Sequence, residues 1–154
     1  IPNSKLKDLP CPLRENSSNQ SIGNQVADYF TKKLNEKLEV FSIENCEGKG
    51  YPDRILAKDS FKQIALEMKA TSDWNPKDSN RRVLTSSSNK LRNTFTSPIF
   101  HLICTVIYKI QDKFAVIEAV RLDFIEPNTE VSVRLEASVN HKILTNGNHQ
   151  SIVF

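Results

Sequence analysis

The sequence lacks the features that mark membrane-spanning and disulfide-rich proteins. None of its apolar runs approaches the roughly 18 residues needed to span a bilayer, and 38% of its 154 residues are hydrophobic. We therefore expect a soluble globular protein without a transmembrane segment or signal peptide. The three cysteines, Cys11, Cys46 and Cys104, are odd in number and lack metal-ligand spacing. Cys104 lies in an apolar run typical of a buried free thiol, and the expected location is a reducing cytoplasm.

Several catalytic constellations are also missing. The three histidines, His101, His141 and His149, are isolated, and His101 is expected to pack within a strand rather than to act in catalysis. There is no Ser-His-Asp order, no glycine loop of the kind that cradles phosphates and no zinc-binding pattern. The net charge is only +3, so the overall composition does not by itself indicate a nucleic-acid-binding protein.

The most informative stretch runs from Tyr51 to Lys69. Its two halves, 51–56 and 64–69, have strand character and are separated by the polar connection 58–60, so the pattern predicts an antiparallel hairpin. Side chains alternate between the two faces of a strand. The second half therefore places on one face Ile64, Leu66 and Met68, and on the other Ala65, Glu67 and Lys69.

A proline near the start of the hairpin favours a bend at Asp53. Pro52 has a fixed φ and no N–H, and it biases Tyr51 towards an extended conformation, so the strand ladder is expected to be interrupted where Asp53 follows. The bend would bring Asp53 beside Glu67. Two carboxylates close to the ammonium group of Lys69 form a site for a hard divalent cation such as Mg2+, next to a lysine that handles protons or stabilises charge.

These residues resemble a known signature. Pro52-Asp53, a gap of thirteen residues and Glu67-Met68-Lys69 are similar to the PD-(D/E)xK motif of the restriction-endonuclease-like nuclease superfamily. The resemblance implies that Asp53 is the metal-binding aspartate, Glu67 the second acid and Lys69 the catalytic lysine. It also implies that the backbone carbonyl of Met68 completes the metal shell.

The resemblance implies a Mg2+-dependent endodeoxyribonuclease. The scissile phosphate repels an incoming hydroxide, and the transition state gathers negative charge. A cation held by Asp53 and Glu67 would therefore lower the pKa of a bound water and neutralise that charge. Lys69 would either orient the attacking water or stabilise the developing oxyanion.

A basic segment follows the strand that carries Glu67 and Lys69. Residues 77–93 contain five basic side chains and one acid, a surplus of +4 (5 − 1) against +3 for the whole chain. Arginine, asparagine and hydroxyl side chains bind phosphates and base edges, so this segment is the best candidate for contact with double-stranded DNA. The alternative is a solvated loop leading into a helix capped by one residue of 86–88. The candidate DNA-binding residues are Lys77, Asn80, Arg81, Arg82, Ser86, Ser87, Asn89, Lys90 and Arg92.

Four other side chains have a functional and a structural interpretation. Nucleases of this superfamily often carry another acid or amide on their first helix, which points to Gln25 or Asp28, but a solvated polar position is the commoner case. Trp74 has a ring that can stack on a base, although a lone tryptophan more often packs against its own domain. Glu118 interrupts an apolar face, and we expect it at a sheet end or paired with a neighbour rather than as a buried functional acid.

The order of elements predicts a mixed α/β (α+β) fold. An amphipathic helix with Ser21 as its N-cap is predicted from the helical spacing of Ile22, Val26, Tyr29, Phe30, Leu34 and Leu38. Strands are predicted at 40–43, at 99–110, where both faces are expected to be covered, and at 129–136. A strand at 114–124 is predicted to have one apolar face, formed by Phe114, Val116, Val120, Leu122 and Phe124. Asn146-Gly147 predicts a hairpin turn.

We expect a single domain with an arm at 1–20, a nuclease core at 21–124 and a C-terminal β extension at 125–154. The resemblance implies a restriction-endonuclease-like core, in which helices flank a central mixed β-sheet. It favours a type II restriction endonuclease acting as a homodimer on palindromic DNA, without membrane association. A repair or recombination nuclease of the same superfamily is the nearest alternative. A non-catalytic nucleic-acid-binding or protein-interaction module is the alternative from a different class.

Overall fold

The computed structural model describes residues 7–59, 61–75, 83–96, 99–125, 129 and 132–135. Ten helices and strands occur in this part of the chain. In chain order they are β1 (Pro10–Pro12), α1 (Asn19–Asn35), β2 (Ser42–Asn45), β3 (Arg54–Lys58), β4 (Phe61–Thr71), β5 (Val83–Ser86), α2 (Ser88–Thr94), β6 (Phe100–Gln111), β7 (Phe114–Ile125) and β8 (Ser132–Leu135).

The strands form one large mixed sheet and one small parallel sheet. The order in the large sheet is β1-β7-β6-β4-β3-β2, in which β4 and β6 are parallel and the other neighbouring pairs are antiparallel. After β4 the chain passes through β5 and α2 and returns as β6, because parallel neighbours need a crossover connection. The small sheet pairs β5 with β8. The prediction of a mixed α+β fold with a central mixed sheet is confirmed.

Helix α1 covers one face of the large sheet. The prediction that Ser21 caps this helix is wrong: the Ser18 hydroxyl accepts a hydrogen bond from the Ser21 N–H at 3.3 Å, and the helix already begins at Asn19. An uncapped first turn leaves backbone donors unsatisfied, and Ser18 is the residue that supplies an acceptor. The apolar side of α1 and the sheet form a first core, which includes Ile22, Val26, Phe30, Leu66, Met68, Cys104 and Val106.

The opposite face of the sheet carries a second, smaller core. Its buried members are Tyr51, Ile55, Ala57, Ala65, Leu84 and Ile103, against which Leu91 and Phe95 pack. β4 contributes to both cores, since Leu66 and Met68 belong to the first and Ala65 to the second. The predicted alternation along this strand is therefore confirmed, and Glu67 and Lys69 lie on the face of the second core.

A bulge in β7 reverses which of its side chains point to each face of the sheet. Ile117 and Ala119 lie opposite consecutive residues of β6, so Glu118 between them is the extra residue. Before the bulge, Ala115 and Ile117 belong to the first core, whereas beyond it the even-numbered side chains turn to that side and are exposed. The prediction that one apolar face is shared is therefore wrong for Phe114, Val116, Val120, Leu122 and Phe124. Glu118 pairs with Lys109 at 2.6 Å, as expected for a paired acid.

Two strands differ from their predictions at the ends. β2 begins at Ser42, and Val40 before it is 57% exposed. β6 is not covered on both faces along its whole length, because Phe100 and Ile110 near its ends are exposed. The hydrophobic pattern predicted these strands, but the burial of their side chains depends on which elements pack against the two ends of the sheet.

The chain termini are described only in part. Within the predicted arm, β1 pairs with the start of β7 and buries Cys11. The predicted strand at 129–136 is represented by β8, and the predicted turn at Asn146-Gly147 lies outside the described residues. Cys104 is a buried free thiol, as predicted. Neither of the described helices is long and apolar enough to cross a membrane.

Candidate active site

Asp53 lies against β4 at the start of the β3–β4 hairpin. It directly precedes β3, and the Tyr51–Pro52 peptide bond before it is cis. The backbone carbonyl of Asp53 accepts a hydrogen bond from the Cys46 N–H at 3.0 Å. Its carboxylate Oδ2 accepts one from the Met68 N–H at 3.3 Å. The chain therefore brings Asp53 to the strand that carries the other acid, as the sequence predicts.

Glu67 is a buried carboxylate with only one satisfied oxygen. Oε1 accepts a hydrogen bond from Lys69 Nζ at 3.2 Å, and the Glu67 side chain is 10% exposed. Oε2 is buried and has no hydrogen-bond partner within the described part of the chain. Burial, followed by the charge of Asp53, raises the pKa of Glu67, while Lys69 acts in the opposite direction. The site therefore contains more negative charge than Lys69 neutralises.

These residues fit a small, hard cation. A buried carboxylate oxygen without a donor destabilises the fold, and a cation beside Glu67 would satisfy it and offset its repulsion from Asp53. Mg2+ is commonly bound through one or two carboxylates together with waters and substrate phosphates. Among the described residues there is no group of three or more His, Cys, Asp or Glu side chains that could hold a metal. Two carboxylates alone would therefore leave most of the Mg2+ shell to waters or other ligands.

The rings of Tyr51, Phe95 and His101 pack together beside β4. The Tyr51 hydroxyl is hydrogen-bonded to His101 Nδ1, and the Phe95 ring packs against both. Burial, followed by the charge of Glu67, raises the pKa of Tyr51, and burial lowers the pKa of His101. Both shifts favour the neutral form of the side chain. His101 is a packed strand residue, as predicted. Sequence reasoning missed Tyr51 as a neighbour of Glu67, because the contact depends on the fold.

A buried lysine fixes the loop that leads into Asp53. Lys90 of α2 is 6% exposed, and its Nζ donates to the carbonyl oxygens of Gly48 at 2.9 Å and Gly50 at 2.5 Å. Ser86 is also buried, and its hydroxyl donates to the Tyr51 carbonyl at 2.5 Å. β5 and α2 therefore hold the backbone immediately before the first acid of the site.

The candidate DNA-binding residues fall into three groups. Outside the described residues lie Lys77, Asn80, Arg81 and Arg82. Ser86, Ser87 and Lys90 make contacts within the protein: Ser87 caps α2 by accepting a hydrogen bond from the Lys90 N–H at 3.2 Å, as one of the predicted caps. Asn89 and Arg92 are exposed on α2, and their contact with DNA stays a prediction.

Lys90→Met is expected to lower the stability of the protein, whereas Arg92→Gln is expected to leave its stability nearly unchanged and to weaken the DNA binding predicted from the sequence. Lys90→Met should lower the free energy of unfolding by about 1–2 kcal/mol, because two backbone carbonyl oxygens lose their donor. Arg92→Gln should change it by less than about 0.5 kcal/mol, because the side chain is exposed, but should weaken binding to duplex DNA. Urea unfolding and DNA titration measure the two effects. Equal stability of the two variants would contradict the structural role of Lys90.

The sheet face that carries Lys69 continues across β6 to β7. Strand register places Lys69 beside Thr105, and Thr105 beside Arg121. The Arg121 guanidinium donates to Asp123 Oδ1 from Nε at 2.9 Å and from Nη2 at 2.6 Å. Its Cζ lies 5.1 Å from the centroid of the Trp74 ring. Sequence reasoning missed Arg121, because only the β7 bulge puts it on this face.

Gln25 and Asp28 have their contacts away from Glu67. Gln25 accepts a hydrogen bond from the Arg14 N–H at 2.8 Å and donates one to the Ser17 hydroxyl at 2.9 Å. Asp28 is exposed and pairs with Arg54 Nη2 at 2.6 Å. Both belong to α1, which covers the other face of the sheet.

No family model, no curated protein and no solved structure matches this chain.

Proposed function

We propose that this protein is a Mg2+-dependent endonuclease that hydrolyses phosphodiester bonds in double-stranded DNA. The observation that carries the proposal is the unsatisfied Oε2 of Glu67, which is buried beside Asp53 and next to the Lys69 ammonium group. A carboxylate in this state gains strongly from a bound cation. A neighbouring lysine suits an anionic substrate. A cation and an ammonium group at the scissile phosphate would both stabilise the negative charge that develops during phosphodiester hydrolysis.

Asp53 and Glu67 would hold the cation, together with the Met68 carbonyl that the resemblance to PD-(D/E)xK nucleases assigns to the shell. When bound, Mg2+ supplies charge neutralisation at the scissile phosphate and a more acidic water. The protein orients the ligands: the Met68 N–H anchors Asp53, and the Lys69 ammonium anchors Glu67. Ligands fixed in advance need little reorganisation during the reaction.

Lys69 would act on the phosphate itself. Its side chain is 21% exposed, so the ammonium group is partly desolvated but still accessible from the face of the sheet. An ammonium group has three donors, one of which goes to Glu67. Among the described residues no other acceptor takes a donor of this group, and the remaining donors would stabilise the charge that develops on a phosphate oxygen or orient the attacking water.

The order of elements supports the proposal. The chain runs from α1 through β2 to the hairpin that carries the acids, then through β5 and α2 to β6 and β7. This order is the one expected from the resemblance, so a restriction-endonuclease-like core is the finer description that we propose. The acids lie on or beside β4, an internal strand of the large sheet, and regular elements hold a site more precisely than loops do.

Within this proposal the chain acts as a type II restriction endonuclease, as a homodimer on palindromic DNA. The exposed Asn89 and Arg92 lie on α2, and Lys90 of the same helix is bonded to the loop before Asp53. Groups that read bases and groups that cleave the backbone would therefore be held together in one structural unit.

The proposal is tested by incubating the purified chain with unmethylated bacteriophage DNA, in Mg2+ or in EDTA, beside the Asp53→Ala variant. Discrete bands that require Mg2+ and are absent with the variant would establish a sequence-specific endonuclease. A smear with the same dependence would indicate a repair or recombination nuclease instead. Intact DNA in every reaction, from a chain shown to be folded, would overturn the proposal and favour a binding module.

Lys69→Ala is expected to lower the cleavage rate by about 10²–10³-fold, the usual effect of losing one preorganised charge-stabilising donor. The dissociation constant for DNA should change by no more than about twofold, because the lost interaction belongs to the transition state. Lys58→Ala, which removes an exposed lysine from the same hairpin, is the control and should behave like the parent chain. Equal losses of binding and cleavage in Lys69→Ala would instead indicate a simple phosphate contact.

A further inference from the structure

We infer that Arg121 binds a backbone phosphate of the DNA other than the scissile one, at the far end of a row that begins at Lys69. The inference rests on the proposed nuclease function. It extends the substrate contacts from β4 across two more strands, to a part of the sheet that the PD-(D/E)xK resemblance does not assign.

Strand register creates the row. Lys69, Thr105 and Arg121 are opposite one another on β4, β6 and β7, so their side chains leave the same face of the sheet. Thr105 is buried between the two charged residues. Neighbouring strands are separated by 4.7–4.9 Å, which places the backbones at Lys69 and Arg121 about 10 Å apart. Side chains that leave the sheet this far apart would contact different phosphates, so Arg121 would bind a phosphate other than the one at Lys69.

The bulge at Glu118 directs Arg121 to this face. A shift of one residue reverses the face of every side chain that follows in a strand, so without the bulge Arg121 would lie on the side of the first core. Bulges are common beside active sites, where they redirect side chains. Here the redirected pair is Arg121 and Asp123, which lie opposite Thr105 and Ile103 of β6.

Two contacts orient the guanidinium group. Asp123 Oδ1 accepts hydrogen bonds from Nε and Nη2, and the Trp74 ring, on the segment directly after β4, lies 5.1 Å from Cζ. Within the described part of the chain, these bonds use two of the five N–H donors of an arginine, and the Arg121 side chain is 45% exposed. An oriented guanidinium with remaining donors loses little conformational entropy when it binds a phosphate.

The test is the salt dependence of DNA binding, measured in EDTA by fluorescence anisotropy with a labelled duplex between about 50 and 200 mM salt. In Arg121→Gln, the slope of log K against log salt should fall by about 1, as for the loss of one phosphate contact. The dissociation constant should rise by about 5–20-fold. Arg121→Lys, which keeps the charge, should retain the slope of the parent chain.

Lys113→Gln is the matched control. Lys113 lies at the turn between β6 and β7, is 81% exposed and is paired with Glu15 at 3.9 Å, so this variant also removes a paired surface cation. Its slope should equal that of the parent chain. Three results would each overturn the inference: an unchanged slope in Arg121→Gln, an equal decrease in slope in both variants, or no DNA binding by the parent chain.

The failure of this inference is distinguishable from the failure of the proposed function. If the parent chain binds DNA without cleaving it and the slope is reduced in Arg121→Gln, the phosphate contact is supported and the proposed nuclease activity is overturned. If the parent chain cleaves DNA in Mg2+ and the slope is unchanged in Arg121→Gln, the phosphate contact is overturned and the proposed nuclease activity is supported.

Discussion

Glu67→Gln is expected to abolish Mg2+-dependent cleavage of DNA without destabilising the metal-free protein. The cleavage rate should fall by about 10³-fold or more, because several kcal/mol of transition-state stabilisation depend on the bound cation. The free energy of unfolding in EDTA at neutral pH should stay the same or rise by about 1 kcal/mol. The neutral amide relieves the burial of a charge and its repulsion from Asp53, the two causes that raise the pKa of Glu67.

The pH dependence of this gain gives a second measurement. Because the folded pKa of Glu67 lies above its ordinary value, the stability that this group contributes is complete below the ordinary pKa and is lost as the pH rises through the folded pKa. The advantage of Glu67→Gln in urea unfolding should therefore appear at neutral pH and disappear in acid. An advantage that is independent of pH would contradict the burial of a charged Glu67.

Glu118→Gln is the control for Glu67→Gln. It removes a carboxylate that is 40% exposed and already paired with Lys109, so neither cleavage nor the effect of Mg2+ on stability should change. Saturating Mg2+ should stabilise the parent chain and Glu118→Gln, because a ligand that binds only the folded state shifts the folding equilibrium. Glu67→Gln should lack this stabilisation. Cleavage by Glu67→Gln at the parental rate would rule out Glu67 as a metal ligand.

Gly50→Ala is expected to lower the free energy of unfolding by about 3 kcal/mol or more. Gly50 has φ +88°, and a Cβ there would stand 2.5 Å from the Thr85 carbonyl oxygen and 2.9 Å from Ser86 Cα. The Thr85 carbonyl also accepts a hydrogen bond from the Tyr51 N–H at 2.6 Å, so relief of the clash would separate the loop from β5. Because this loop positions Asp53, cleavage should fall together with stability.

Gly48→Ala separates the effect of close packing from that of backbone conformation. Gly48 also has a positive φ, +80°, but a Cβ there would meet nothing closer than Lys90 Cδ at 3.8 Å. The free energy of unfolding of this variant should fall by about 1–2 kcal/mol, which is the cost of the left-handed conformation alone. Urea unfolding of both variants measures the difference. Equal losses at the two positions would show that the approach of Gly50 to β5 is not what excludes a side chain.

Local sequence patterns were enough to predict the part of the candidate site that lies within one hairpin. The strand alternation of β4 put Glu67 and Lys69 on one face and Met68 on the other, because the period of two is a property of any extended chain. Asp53 came close to β4 because the hairpin brings its own ends together. The cap of α2 at Ser87 was likewise among the predicted residues, since hydroxyl side chains cap helices through local hydrogen bonds.

The distant residues that join this hairpin could not be predicted from local patterns, because their positions depend on the packing of the whole fold. Tyr51 meets His101 because β6 returns beside β4 in one particular register, and Lys90 reaches Gly48 and Gly50 because α2 packs against the second core. Arg121 reaches the face of Lys69 through one extra residue in β7. Local periodicity carries no information about strand register, bulges or the packing of separate elements, which depend on the free energy of the whole core.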